Sequence, residues 1–224
     1  MKLSITLRKS SIALAALGLL CLSAASHAAT RNVPFQYPNI QAAVNAAVAG
    51  DTVLVGTGIY SGTGNVNIDT LGKAVTIKSL AGAGSCILDG GASNHFFNIH
   101  SGETVHTIIN GFTLQNGYDY YGGAFYIYNS SPTITGCVVK NCAGYYGGAA
   151  YISEANATYS PTFTNNTFYM NSGYYFGGAM YIVQGATKIT NCTFQSNNAY
   201  HSGGAILFVS NDKSKIPPCR RSQS

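Results

Sequence analysis

Apolar and polar positions change rhythm twice along the chain. Ile12 to Leu22 is mainly apolar and stands behind a positive start made by Lys2, Arg8 and Lys9. Ser26-His27-Ala28 then offers small residues where a signal peptidase reads, so 1–28 reads as a signal peptide and the mature chain as starting at Ala29. The run is too short to span a bilayer. Leu20 before Cys21 is not the small residue that lipid anchoring requires. No transmembrane segment is expected in the mature chain. Over Asn39–Asp51 the apolar residues Ile40, Ala43, Val44, Ala47 and Val48 fall at helical spacing, which predicts one amphipathic helix with Gly50 as its C-cap. Beyond it the period shortens. Runs such as PTITGCVV and TKITNCTF alternate polar with apolar and are rich in Thr, Ile, Val, Tyr and Phe, which predicts strands of about four to six residues.

These runs repeat. The phrase YYGGAFYI returns as YYGGAAYI, YFGGAMYI and HSGGAILF. The glycine pairs are Gly122-Gly123, Gly147-Gly148, Gly177-Gly178 and Gly203-Gly204, in steps of 25, 30 and 26 residues. Six residues before each pair stands an asparagine: Asn116, Asn141, Asn171 and Asn197. Between them TITGC, TFTNN and KITNC end at Cys137, Asn166 and Cys192. Hairpin turn signals between matched strands are absent, and a propeller blade needs more residues per unit. Units of this length, built from several short strands, predict an all-β, single-stranded right-handed parallel β-helix. In such a solenoid each residue lies about 4.8 Å from its equivalents above and below. Glycine at a recurring corner permits positive φ, and the asparagines are expected to stack as an amide ladder.

The expected layout is a cap with the helix over 29–50, about six or seven coils over 51–210, and an irregular tail over 211–224. The helix is expected to cover the open edge of the first coil. The tail, NDKSKIPPCRRSQS, reads either as a short natural end or as the mark of a truncated longer gene. The missing capping element favours truncation.

FQYPNIQAAVNAAVAGDTVLVGTGIYSG, followed by AVTIKS and CILDGG, resembles the opening of right-handed parallel β-helix proteins of the pectin-lyase-like superfamily. TFQSNNAYHSGGAI and TFYMNSGYYFGGAM resemble the FxxN and GGAI repeats of chlamydial-type polymorphic outer membrane proteins, with Val138 in place of Phe one unit earlier. The resemblance implies an exported adhesin or autotransporter-like passenger, associated with the outer membrane or released, in contact with a polysaccharide, a host glycan or a host protein. It also implies polysaccharide lyases and hydrolases as relatives.

Composition narrows the chemistry. Apolar residues make up 46% and charged ones 8%, which excludes a disordered chain. The formal charge of +5 comes from the ends, because Arg31 to Asn211 holds five basic residues against six acidic ones. Nucleic-acid binding is therefore not expected. The acids Asp51, Asp69, Asp89, Glu103, Asp119, Glu154 and Asp212 form no adjacent pair, and the site phrases of pectinases are missing. No catalytic residue is named. Asp89 is expected to cap a turn. His95, His100 and His106 read as surface polar positions, no metal spacing occurs, and no cofactor is expected. Cys137 and Cys192, two coils apart, are out of disulfide reach and read as buried small side chains. The ligand candidates are two aromatic files. Tyr120, Tyr145 and Tyr175 run on to His201, and Tyr121, Tyr146 and Phe176 run beside them. They serve either as a strip that packs on sugar rings or as a ladder that holds the coils together.

Overall fold

The computed structural model describes residues 27–154 and 158–210. Most of the signal-peptide reading, the whole tail and Cys219 lie outside them. The chain coils into a parallel β-solenoid of about seven turns. Every strand pairing is parallel, as expected where each strand is followed by its equivalent one coil later.

Four sheets run the length of the stack. The first has seven strands: Thr30–Val33, Thr52–Val55, Thr76–Ser79, Ile108–Asn110, Thr133–Thr135, Thr162–Thr164 and Lys188–Thr190. The second has six, from Gly58–Ser61 to Thr193–Gln195. The third has four: Tyr118–Tyr121, Ala143–Tyr146, Ser172–Phe176 and Asn198–Ala199. The fourth has six, from Ile68–Asp69 to Ile206–Val209.

The core is a set of vertical files. Alternation along each strand sends every second residue inward, and the parallel register places like on like. One file runs Val53, Ile77, Ile109, Ile134, Phe163, Ile189. Another runs Ile99, Ile127, Ile152, Ile182, Phe208. Phe97 stacks on Phe125 with centroids 5.7 Å apart, and Phe168 on Phe194 at 4.9 Å. Burying each such side chain contributes roughly 1.5–3 kcal/mol.

The predicted helix is shorter than its apolar stripe. It spans Ile40–Ala46, with the Asn39 side chain accepting from the Ala42 N–H at 2.9 Å. Ile40, Ala43 and Val44 are fully buried against the first coil. Ala47 is already extended, and Val48 is half exposed rather than part of the stripe. Gly50 (φ +91°) lies in the link beyond, not at the cap. The buried Asp51 carboxylate accounts for the early stop. It accepts from the backbone N–H of Val48 and Ala29 and from the Arg31 guanidinium, which ties the chain into the first sheet. Lys73 donates to the carbonyls of Val44 and Asn45, completing the end of the helix.

The asparagines do not form one ladder. Tyr118, Ala143, Ser172 and Asn198 share a column, so Asn116 and Asn141 line up with Met170 and Ser196. All four of these corner residues have φ between +53° and +58°. Asn171 and Asn197 sit one place later and face inward, above Cys142. There the Asn171 Oδ1 accepts from the Cys142 N–H at 3.0 Å, while its Nδ2 donates to the Val139 carbonyl and to Asn197 Oδ1, both at 2.9 Å. The offset arises because Ser172–Phe176 carries one extra residue, a bulge opposite Gly144 and Tyr146. Cys137, Asn166 and Cys192 do share one file, with Asn166 Oδ1 accepting from the Cys137 N–H at 2.9 Å. Cys86, Cys137, Cys142 and Cys192 are free thiols. Burial pushes Cys137 up to about 11 and Cys142 up to about 12, so both are inert at neutral pH.

Candidate functional site

The third sheet is thrown outward. In each of its coils the strand and the following Gly-Gly-Ala segment run back against one another. A Cβ on Gly117 would strike the Gly123 carbonyl, and one on Gly144 would lie 2.7 Å from the Gly147 carbonyl. The stacked tongues form a narrow fin. Its tip turns at Gly122, Gly147, Gly177 and Gly203, where φ is +65° to +74°, a region closed to most side chains. The two glycines of each pair therefore have separate tasks: the first makes the turn, and the second lets the legs close.

The fin carries the predicted aromatic residues. Tyr120 stacks on Tyr145 at 4.8 Å, Tyr145 meets Tyr175 at 5.6 Å, and Tyr175 stacks on His201 at 5.7 Å. Tyr121, Tyr146 and Phe176 follow at 5.8 and 6.0 Å. A third file escaped the sequence reading: Tyr126, Tyr151 and Tyr181 on the fourth sheet, 5.8 and 5.9 Å apart, with His95, just before that sheet's Phe97–Ile99 strand, stacked on Tyr126 at 6.2 Å. Tyr121 lies 4.6 Å from Tyr151, and Tyr146 lies 5.4 Å from Tyr181, so the second and third files fill the re-entrant angle between fin and body. Their rings serve one another.

The other side of the fin is open. Strand alternation sends Tyr118, Tyr120, Tyr145 and, through the bulge, Tyr174 away from the closed angle. Tyr118, Tyr120, Tyr174 and Tyr200 are 43%, 46%, 59% and 76% exposed. Tyr174 and Tyr200 stack at 6.3 Å with planes 12° apart. Tyr118, Tyr174 and Tyr200 were missed because the sequence reading counted back from the glycine pair, a frame that the bulge shifts by one. The signal was there in the alternation of YDYY and SGYYF.

At the foot of the fin His95 is mostly buried, which corrects its reading as a surface position. Its Nδ1 lies 3.1 Å from Asp119 Oδ2, close in charge but off the axis of a hydrogen bond. Burial lowers its pKa and Asp119 opposes this only in part. Asp119 shares a column with Gly144, Gly173 and Ala199. Gly144 and Gly173 have backbone packed against the place of a Cβ, whereas at the lowest level a side chain fits and reaches down to His95. Asp89 does cap a turn, accepting from the Gly91 N–H and from Gln115 and Asn116. His100 lies 3.6 Å from Asp69.

Two buried glutamates occupy the corner between the fourth and first sheets. Burial alone would raise Glu103, but Thr70, Ser130 and the Gly72 N–H hydrogen-bond it and hold it below the usual range. Glu154, covered by Gly185, has no aligned partner for either oxygen among the described residues, and burial lifts it to about 8. No group of three or more His, Cys, Asp and Glu suited to a metal occurs among the described residues. No helix among them is long and apolar enough to cross a membrane. No family model, curated protein or solved structure matches the chain.

Proposed function

We propose that this is an exported, surface-associated β-helix protein of the adhesin or passenger kind, and that it holds a glycan on the tyrosine fin. The observation that carries this is the open side of the fin: phenol rings, half exposed, repeated coil after coil. Such rings offer flat apolar faces with hydroxyls at their edges, the complement of a sugar, which alternates C–H faces with hydroxyls. The signal peptide read at 1–28 supports export. The FxxN and GGAI phrases support likeness to polymorphic outer membrane proteins, and the opening supports likeness to the pectin-lyase-like superfamily.

Affinity electrophoresis through gels containing galactomannan, hydroxyethylcellulose, polygalacturonate or alginate tests the reading. Retardation in at least one gel, abolished when Tyr120, Tyr145 and Tyr175 are all changed to Ala, is the expected result. Unaltered retardation in that triple variant, or none in the wild type, would overturn it.

The His95–Asp119 pair supports a second reading, action on a polysaccharide. Burial favours the neutral, proton-accepting form of the imidazole, although both of its ring nitrogens are shut off from solvent. New unsaturated or reducing ends from pectin or alginate with calcium present, lost in His95→Ala, would favour it. Their absence would leave binding alone.

A further inference from the structure

The open side of the fin is interrupted at one place. Its lower column runs Tyr118, Ala143, Ser172, Asn198, so two small residues stand above a large one. At neighbouring strand spacings of about 4.8 Å, two small residues in succession remove ring-sized bulk from the column. What remains is a cavity of about 140 Å³ lined by Tyr118, Ala143, Gly144, Tyr145, Ser172 and Tyr174. Interaction with the Tyr145 phenol raises the Tyr118 pKa, so the two hydroxyls lie near each other at the notch. Tyr145 and Tyr174 meet at 5.2 Å with planes 54° apart, so their faces are splayed rather than closed on each other.

The bulge makes this notch. Without the extra residue in Ser172–Phe176, Tyr174 would have no counterpart to its place between Gly173 and Tyr175, and the notch would lose a wall. Bulges commonly re-aim a side chain beside a functional site. None of the six lining residues is charged, and Asp119, the nearest acid in sequence, turns to the opposite side toward His95. The lining instead mixes ring faces with the hydroxyls of Tyr118, Tyr145, Tyr174 and Ser172. A uronate or phosphate would lose its hydration there without gaining a cation, which disfavours it. A purely hydrocarbon side chain would desolvate those hydroxyls without replacing their hydrogen bonds.

We propose that this notch is a sugar subsite that seats one neutral pyranose residue of a glycan lying along the fin. This rests on the glycan reading of the fin and names the residue class it selects. Tyr174 supplies the stacking face, Ala143 and Gly144 the floor, and the hydroxyls of Ser172 and Tyr118 the polar contacts. Tyr118, Ser172 and Tyr174 are thereby ligand residues, while Tyr151 and Tyr181, stacked in the re-entrant angle, are packing.

Calorimetric titration with cellohexaose, mannohexaose and trigalacturonate tests it. Wild type is expected to bind at least one neutral hexaose saturably and trigalacturonate at least tenfold more weakly. Ser172→Trp, which fills the notch, and Tyr174→Ala, which removes an exposed ring, should each weaken the neutral ligand at least tenfold. Tyr128→Ala, an exposed tyrosine outside the fin, should leave it unchanged. Should Ser172→Trp fail to fold, Ser172→Leu with Tyr174→Ala decides the matter. If Tyr174→Ala and the Ser172 variants bind as wild type while the Tyr120/Tyr145/Tyr175 variant does not, the notch is overturned and the fin reading stands. Preference for trigalacturonate overturns the neutral subsite alone. Loss of binding to every glycan in wild type overturns both.

Discussion

A single asparagine can be a turn device or an internal tie, and this solenoid contains both under one sequence phrase. Asn141 is exposed and holds positive φ, so Asn141→Ala should cost at most about 1–2 kcal/mol, because asparagine's short polar side chain tolerates the left-handed region better than alanine's methyl. Asn171 is buried. Asn171→Ala would strand the buried Cys142 N–H, at about 1–3 kcal/mol, and also remove the amide's bonds to the Val139 carbonyl and to Asn197. Thermal melts should therefore place Asn171→Ala well below Asn141→Ala, and equal melting points would contradict the split column. Glu154 gives the pH counterpart. Its carboxyl titrates near the ordinary 4.5 when unfolded and near 8 when folded, so the folded state holds a proton that the unfolded state has released. Stability is thus full below pH 4.5 and is lost as pH rises toward 8. Melting points between pH 5 and pH 8 should fall by several degrees in wild type and flatten in Glu154→Gln. Glu103 works in the opposite direction, and its contribution is lost only as acid titrates it below the ordinary range.

At the scale of the element, the fin depends on legs that touch. Gly144→Ala would put a methyl 2.7 Å from one backbone oxygen and 3.0 Å from another, neither of which can swing away. A cost of about 1–3 kcal/mol or more is expected from this overpacking. In the same column Asp119→Ala should cost less, since a side chain already fits there and only its contacts with His95 and the Tyr120 N–H are lost. Urea titrations of the two variants check this, and similar losses would mean that the legs stand apart. The same element shows what the sequence could reveal. Strands, coils, glycine corners and the Cys137–Asn166–Cys192 file were legible because each follows from alternation and repeat spacing, which are local. The fin was not, because its closure is a contact between residues such as Gly117 and Gly123 that no period announces. The bulge was hidden by compensation: the count from Asn171 to Gly177 equals that from Asn141 to Gly147 although the two asparagines sit in different places. The helix end was missed for a similar reason. Val48 continues the apolar stripe, but Asp51 and Lys73 end the helix from outside it.

For the whole molecule the governing fact is that each coil touches only its neighbours, so stability approximates a sum of coils and interfaces. One coil can then be removed if the cut respects register. Ala143 pairs with Ser172, a step of 29 residues, so deleting 143–171 joins Cys142 to Ser172 and leaves every later residue one level lower. The new neighbours remain compatible: Phe125 meets Met180, Ile127 meets Ile182, Ile134 meets Ile189, and Val139 meets Phe194, all apolar and inward. Asp119 comes to lie under Gly173, so the fin also closes. This shortened chain should fold with the same β signature in circular dichroism. Its urea m-value should fall by roughly a sixth to a seventh, in proportion to the surface it no longer buries. Deleting 143–160 instead joins the second sheet's corner directly to the first sheet's path. That cut abolishes the fin at one level, omits a fourth-sheet strand, and leaves Tyr126 and Ile127 without partners above. It should not give a cooperative transition. If both deletions fold alike, register between coils is not what holds this chain together. If the whole-coil deletion alone folds but no longer retains a neutral glycan, the lost Tyr145 and its notch, rather than the solenoid at large, account for the binding.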